Sequence, residues 1–449
     1  MMRNYPQRTI AFLSSLLIFG ALTVQAQSSG STRPRRVSRQ SARTEKTDTT
    51  TDKSSSGLLD VVPASGDNSG NSRRRNNAPA SNSDTPLLTP VASTPVGAPV
   101  SNAPDSGANS AGGSADTTHA FSLLKAKQYD AALKEARQIT DNNSNDSDGW
   151  KIAGFAELNL KQYEAASTDL QKAFDLQRTA RQEDPFTSDA LAHAYFLSDK
   201  FDRALPLLVA ATARKDNKPE PVTVYYLAVA QYRTGKVEDA ERTFNAIVKD
   251  NPKDAASLFF LGQIAYERKD LDSAIAALNR ATTADARSVS AWSLLTLAYM
   301  QRAAAATTPE KANADYLSAV RAGEGLTRVQ TDAQSNLLFA QALIAAQQFP
   351  RAATVLERFT TGADASPSAL YLYGVSQSRA KNFPKAISAL ERAAAKTPDD
   401  ANIYRELGYA YEVNKQYAKA LAAYEKGAQL APGDADFKES AERVRPYAK

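Results

Sequence analysis

Beyond Thr117, large apolar side chains alternate with alanine and glycine at the three- and four-residue intervals that build one apolar face of an α-helix. The same order then recurs along the chain. The segment starting at Ile403 aligns with segments starting at Ser257 and Ser368. Each carries an alanine, Ala420, Ala274 or Ala386, twelve residues after a glycine, Gly408, Gly262 or Gly374. A large residue follows four positions later (Tyr424, Leu278, Leu390), and a small one seven positions later (Gly427, Ala281, Ala393). Nine alanines fit the series, Ala132, Ala166, Ala204, Ala240, Ala274, Ala312, Ala352, Ala386 and Ala420, with spacings of 34, 38, 36, 34, 38, 40, 34 and 34. The pattern predicts about nine helix–turn–helix units, each too small to bury its apolar face alone and so stacked on its neighbours. Small residues on facing helices permit close approach. Large ones such as Trp150, Leu191, Leu261, Trp292, Phe339 and Leu407 fill the gaps. The unit around Trp292 departs from the rule, with Thr296 where glycine or alanine stands elsewhere, and its boundary falls near 300–332. Pro206 is expected to kink its helix or delay its start. Thr307-Thr308-Pro309-Glu310 reads as a capping-box start. Asp434 to Tyr447 reads as a polar capping helix.

This unit resembles the tetratricopeptide repeat, and the resemblance covers residues 118–449. It implies an all-α, right-handed solenoid whose first helices line a concave groove. Carried over position by position, that groove holds Lys151, Phe155 and Leu158, then Asp189, His193 and Phe196. Tyr225 and Tyr232 follow, then Phe259 and Tyr266, and further on Tyr371. The aromatic residues of its N-terminal half are expected to be exposed unless something covers them. Such a stripe suits a bound peptide, and packing of these residues on one another is the alternative. A repeat subclass that clamps a terminal carboxylate needs Asn where Phe155 stands, so that clamp is not expected.

Upstream the pattern changes. Ile10 to Val24 is an apolar run behind Arg3 and Arg8, with Val24-Gln25-Ala26 as a cleavage signature. Residues 1–26 are therefore expected to be a signal peptide for export to the periplasm or beyond, with an uncleaved anchor as the alternative. Residues 27–117 contain no Phe, Tyr or Trp, and eight prolines and eight glycines. That composition predicts a disordered linker. Its clusters Arg33, Arg35, Arg36, Arg39, Arg43 and Arg73, Arg74, Arg75 could meet an anionic envelope component. The domain reading is thus 1–26, 27–117, a repeat array over 118–433, and a cap over 434–449.

The net charge of +5 does not alter this picture. Residues 118–449 carry 42 basic and 41 acidic side chains, so no nucleic-acid partner is expected. The absence of cysteine excludes disulfides, thiolate metal sites and Cys nucleophiles. His119 and His193 are the only histidines, too few for a metal cluster. His193 in the predicted groove could sense pH or touch a ligand, although an ordinary packed histidine is the simpler reading. Glu241, Glu267 and Glu412 read as solvated helix faces. No catalytic constellation, cofactor or metal is expected. The expected function is a non-enzymatic scaffold that binds a protein segment, within an envelope assembly or export complex by analogy. The alternative is an envelope tether whose arginine-rich linker makes the main contacts.

Overall fold

The computed structural model describes residues 115–214 and 219–449. The expected leader, nearly all of the expected linker and its arginine clusters (Arg33, Arg35, Arg36, Arg73, Arg74 and Arg75 among them) lie outside the described residues. The described residues form nineteen α-helices, a closing 3₁₀ turn at Arg445–Tyr447, and no strand. They fall into two bodies, 115–295 and 296–449, and the division lies within one helix.

The first body contains α1 (Ala115–Lys125), α2 (Tyr129–Asn142), α3 (Ser147–Asn159), α4 (Tyr163–Thr179) and α5 (Pro185–Leu197). It continues with α6 (Phe201–Ala213), α7 (Pro221–Arg233), α8 (Val237–Asp250), α9 (Ala255–Glu267), α10 (Leu271–Ala284) and the start of α11 (Val289–Ala304). The second holds α12 (Pro309–Val329), α13 (Ala333–Ala345), α14 (Phe349–Glu357), α15 (Pro367–Arg379) and α16 (Phe383–Lys396). It ends with α17 (Ala401–Val413), α18 (Tyr417–Leu430) and α19 (Ala435–Val444). Consecutive helices pack on one another from α1 to α10 and from α12 to α19, and several odd-numbered helices also touch the next odd-numbered one, as in α1 with α3 and α15 with α17. The described helices are thus a series of pairs, followed by α19 and the 3₁₀ turn.

The register is set at the start of each first helix. Asp146, Asp254, Asp332 and Ser366 accept a hydrogen bond from the backbone N–H three residues on. Ser288 does the same for Ala291. Asp184, Asp400 and Asp434 accept from the residue two on. Each cap satisfies an N–H that the helix leaves without a partner, worth about 1 kcal/mol. Glu220 is the exception, starting α7 without a side-chain cap. Caps 34 residues apart run from Glu220 to Asp254 to Ser288, and again from Asp332 to Ser366 to Asp400 to Asp434. Between Ser288 and Asp332 the interval is 44. The insertion therefore lies within one unit, where α11 has 16 residues and α12 has 21, against 13 and 14 in the regular units.

This corrects the reading of Ala312. Eight of the nine series alanines are fully buried, but Ala312 is only half-buried. The close-packed small residues of α12 lie further along, at Ala319 and Gly323, and a Cβ on Gly323 would stand 2.7 Å from Phe339 Cδ2. The cap of α12 is Thr308 rather than Thr307, with Pro309 in the first turn and Lys311 donating its N–H to Thr308 Oγ1 at 3.4 Å. Pro206 does not delay α6, which begins at Phe201 and contains it.

The turn inside each regular pair uses a left-handed residue. Lys127, Lys161, Asp199, Lys269, Gln347, Lys381 and Lys415 have φ between 56° and 65°, and Gly235 has 78°. The residue after each donates its N–H back to a carbonyl five positions earlier, as in Asn382 to Gln377 at 2.8 Å and Gln416 to Tyr411 at 2.8 Å. This motif closes the first helix and turns the chain into the second. Glycine adopts that backbone without a Cβ clash, whereas an L side chain costs about 1–2 kcal/mol. Lys381 is exposed. Lys381→Gly is therefore expected to stabilise its body by about 1 kcal/mol, read as a higher urea midpoint at unchanged slope. An unchanged or lower midpoint would contradict the turn geometry.

Trp150, Trp292 and Tyr404, which share one position in their units, close the turns between pairs. Trp150 Nε1 donates to Ser144 O at 2.9 Å, Trp292 Nε1 to Ala286 O at 2.9 Å, and Tyr404 Oη to Pro398 O at 3.1 Å.

Candidate functional site

The first helices carry the residues expected to line a groove, and the structure separates them into two groups. Phe155, Leu158, His193, Phe196 and Phe259 are buried. The expectation of exposed aromatic anchors is corrected at these positions: their surface is used between helices. Phe196 stacks on Tyr226 with ring centroids 4.0 Å apart and meets Phe201 edge-on at 5.5 Å. His193 meets Tyr226 edge-on at 5.1 Å, and its Nε2 lies 3.0 Å from Thr223 Oγ1. Its Nδ1 is buried without a hydrogen-bond partner. Burial pushes the imidazole pKa down to about 4, so His193 is a neutral packed side chain at neutral pH. Phe259 meets Phe260 at 5.5 Å.

Lys151, Tyr225, Tyr232, Tyr266 and Tyr371 remain half-buried, with surface to offer. They do so in different ways. Lys151 Nζ lies 2.5 Å from Asp184 Oδ2, and Asp184 also caps α5. Arg405 repeats this arrangement in the second body, 2.5 Å from Asp434, the cap of α19. The cation five residues after one cap thus holds the aspartate of the next cap, a link between successive pairs. Tyr225 has its ring against Phe244 and Phe260, with centroids 6.3 and 6.4 Å away. Its hydroxyl is buried without a partner, and burial holds its ionisation far above the usual tyrosine range. Tyr371 is also held far above that range, first by burial and then by Glu406 and Asp400.

Tyr232 takes part in a polar network, and half-buried Tyr266 directly precedes one of its members, Glu267, on α9. Tyr232 rests edge-on against Phe260 at 5.5 Å and donates its hydroxyl proton to the Glu267 carboxylate. Gln263 Nε2 donates to Tyr232 Oη at 2.8 Å and to Glu267 Oε1 at 3.2 Å. This joins α7 to α9 along their inner positions. The arrangement offers half-buried aromatic surface beside the exposed Glu267 carboxylate, with the buried Gln263 amide holding the two together, and such groups recognise a peptide by packing and hydrogen bonding.

Sequence reasoning missed Tyr226, Phe244, Phe260 and Glu267. The signal available for Tyr226 and Phe260 was their place six residues after the caps Glu220 and Asp254. The glutamates read as solvated are engaged: Glu241 with Arg268 at 2.5 Å, Glu412 with Arg443 at 2.9 Å through both carboxylate oxygens, and Glu267 as above. His119 lies 2.8 Å from Glu135. Among the described residues no three His, Asp or Glu side chains form a group that could hold a metal ion, and no helix is long and apolar enough to cross a membrane.

The tetratricopeptide repeat family model matches residues 190–241, 225–289, 337–401 and 376–435. No curated protein matches the chain. Solved structures similar to it include YrrB, a TPR protein with an unusual peptide-binding site, at 18% identity and a TM-score of 0.37, covering 44% of this chain and 97% of that one. A tetratricopeptide repeat protein from Parabacteroides merdae is 13% identical with a TM-score of 0.38, covering 58% and 98%. Human IFIT1, solved as a dimer with PPP-AAAA, is 17% identical with a TM-score of 0.34, covering 70% and 81%. The matched segments fall on the helix pairs that begin at Asp184, Glu220, Asp254, Asp332, Ser366 and Asp400, and together they span residues 190–289 and 337–435 of the all-helical array, which match the tetratricopeptide repeat family model.

Proposed function

We propose that the array is a non-enzymatic scaffold and that the first-helix face around Tyr232 and Tyr266 binds a protein segment. The observation that supports this reading is the Tyr232–Gln263–Glu267 network beside half-exposed aromatic surface on α7 and α9. A segment offering an apolar side chain next to a donor, such as a lysine or arginine head group, matches that surface. Export belongs to the same proposal and rests on the leader-like residues 1–26. An envelope assembly or export complex is the setting it suggests.

The test is affinity capture with the full chain beside a Tyr232→Ala/Tyr266→Ala variant, from envelope and cytoplasmic extracts in parallel. Tyr225 is left intact because its ring is wedged against Phe244 and Phe260. Loss of two aromatic anchors at a binding hot spot typically costs at least about 2 kcal/mol, or roughly 30-fold in affinity. Partners captured from the envelope extract by the native chain and lost with the helical variant are the expected result. Identical partner sets would remove the groove from the account.

A further inference from the structure

Arg137 on α2, Glu157 on α3 and Asp169 on α4 meet where the first helix pair packs on the second. Glu157 and Asp169 are only 2% and 4% exposed. Arg137 Nη2 donates to Glu157 Oε1 at 2.5 Å and stands 2.7 Å from Asp169 Oδ2 as an ion pair, with the guanidinium over the Trp150 ring at 5.8 Å. The cluster holds two carboxyls and one guanidinium, so with both acids ionised it carries one uncompensated buried negative charge. Glu157 Oε2 is also buried without a hydrogen-bond donor, and the two carboxyls lie within hydrogen-bonding reach of each other. A single proton between them supplies the missing donor and neutralises the cluster.

We propose that Glu157 and Asp169 share one proton, and that this proton is a pH-sensitive latch holding the α1–α2 pair against the α3–α4 pair. The groups that act on each carboxyl are the other carboxyl and Arg137. Several charged groups of the surrounding helices pair with one another rather than with this cluster. His119 of α1 pairs with Glu135 of α2, Lys151 of α3 with Asp184, Lys200 with Glu164 of α4, and Asp189 of α5 with Arg214. His193 of α5 is neutral.

The direction of the pH response follows. Burial first, and then the Asp169 charge, push the Glu157 carboxyl up to about 7, and burial also raises Asp169. An unfolded glutamate titrates near 4.3. Between those values the folded state binds a proton that the unfolded state has released. The latch is therefore closed in mild acid and loses stability as pH rises towards 7, with no further loss above.

Hydrogen exchange of the full chain tests this at pH 6.0 and 8.5, after correction for intrinsic exchange. Peptides from residues 129–179 are expected to lose about tenfold in protection at the higher pH, while peptides from α16 and α18 serve as controls. Glu157→Gln, whose amide donates permanently to Asp169, is expected to keep the acid-state protection at both pH values. Asp169→Asn is likewise expected to flatten the response. Equal protection of the native chain at both pH values would overturn the latch. A Glu157→Gln variant that keeps the native pH response, or that loses its helical circular dichroism, would also overturn it, because a neutral isostere should fit the closed cluster.

Discussion

Phe244→Ala is expected to destabilise the first body by about 4 kcal/mol, the largest single-residue effect in the array. Phe244 is fully buried on α8. Its ring stacks on Phe260 with centroids 4.9 Å apart and planes 6° from parallel, and it meets Tyr225 edge-on at 6.3 Å. Truncation removes the transfer free energy of the ring and leaves a void that Phe260 and Tyr225 cannot both fill from their own helices. In a repeat array each pair is supported only by its neighbours, so the loss lowers the local unfolding free energy of α7–α10 most. Urea unfolding with hydrogen exchange on residues 221–284 measures it. Phe244→Leu, which keeps most of the volume, should recover more than half of the loss. A cost below about 1 kcal/mol for Phe244→Ala would show that the aromatic cluster does not hold these pairs together.

The second large effect is Gly374→Leu in the second body. A Cβ at Gly374 would stand 2.5 Å from Leu390 Cγ, 2.8 Å from Leu390 Cδ2 and 3.4 Å from the Ala386 carbonyl oxygen. Leu390 and Ala386 are both fully buried, so neither can withdraw into solvent. A leucine must therefore separate α15 from α16, at about 3 kcal/mol or more. Gly374→Ala is a milder case, because the gain of about 1 kcal/mol in helix propensity offsets part of the clash. Ala192, Ala228 and Ala340 occupy the same position of their units, each fully buried, so a methyl group is compatible with the repeat. Thermal unfolding that ranks Gly374→Leu far below native, with Gly374→Ala between them, is the expected order. A native-like Gly374→Leu would mean that the two helices are not in close contact.

Much of this architecture was legible because the repeat writes its packing rule several times over. The small residue on a first helix and the large residue sixteen positions later, as in Gly262 and Leu278 or Gly408 and Tyr424, are direct contacts, with prospective Cβ distances of 2.6 and 2.4 Å. Alanine was a poorer ruler where a unit is enlarged. The helical pattern of α12 offers several alanines, and nothing in the local sequence says which one faces its partner. The aspartate and serine caps would have served better, since they mark helix starts chemically and place the whole insertion between Ser288 and Asp332.

The candidate site was less legible. Position alone selected Phe155, His193 and Phe196, but whether a side chain at an inner position faces solvent or its neighbours depends on how closely successive first helices approach. That spacing is a property of the stacked array rather than of any one unit. Buried charge escaped for a related reason: Arg137, Glu157 and Asp169 come from three helices and form no local motif.

The measurement that tests the central claim most directly is site-specific photo-crosslinking. A photoreactive phenylalanine replaces Tyr266 on the first-helix face in one chain, and exposed Lys249 on the second helix α8 in another. Crosslinking to a protein partner from Tyr266 and not from Lys249, abolished by adding Tyr232→Ala, is the predicted result. Crosslinking from Lys249 with none from Tyr266 would contradict it and place the interaction on the second helices.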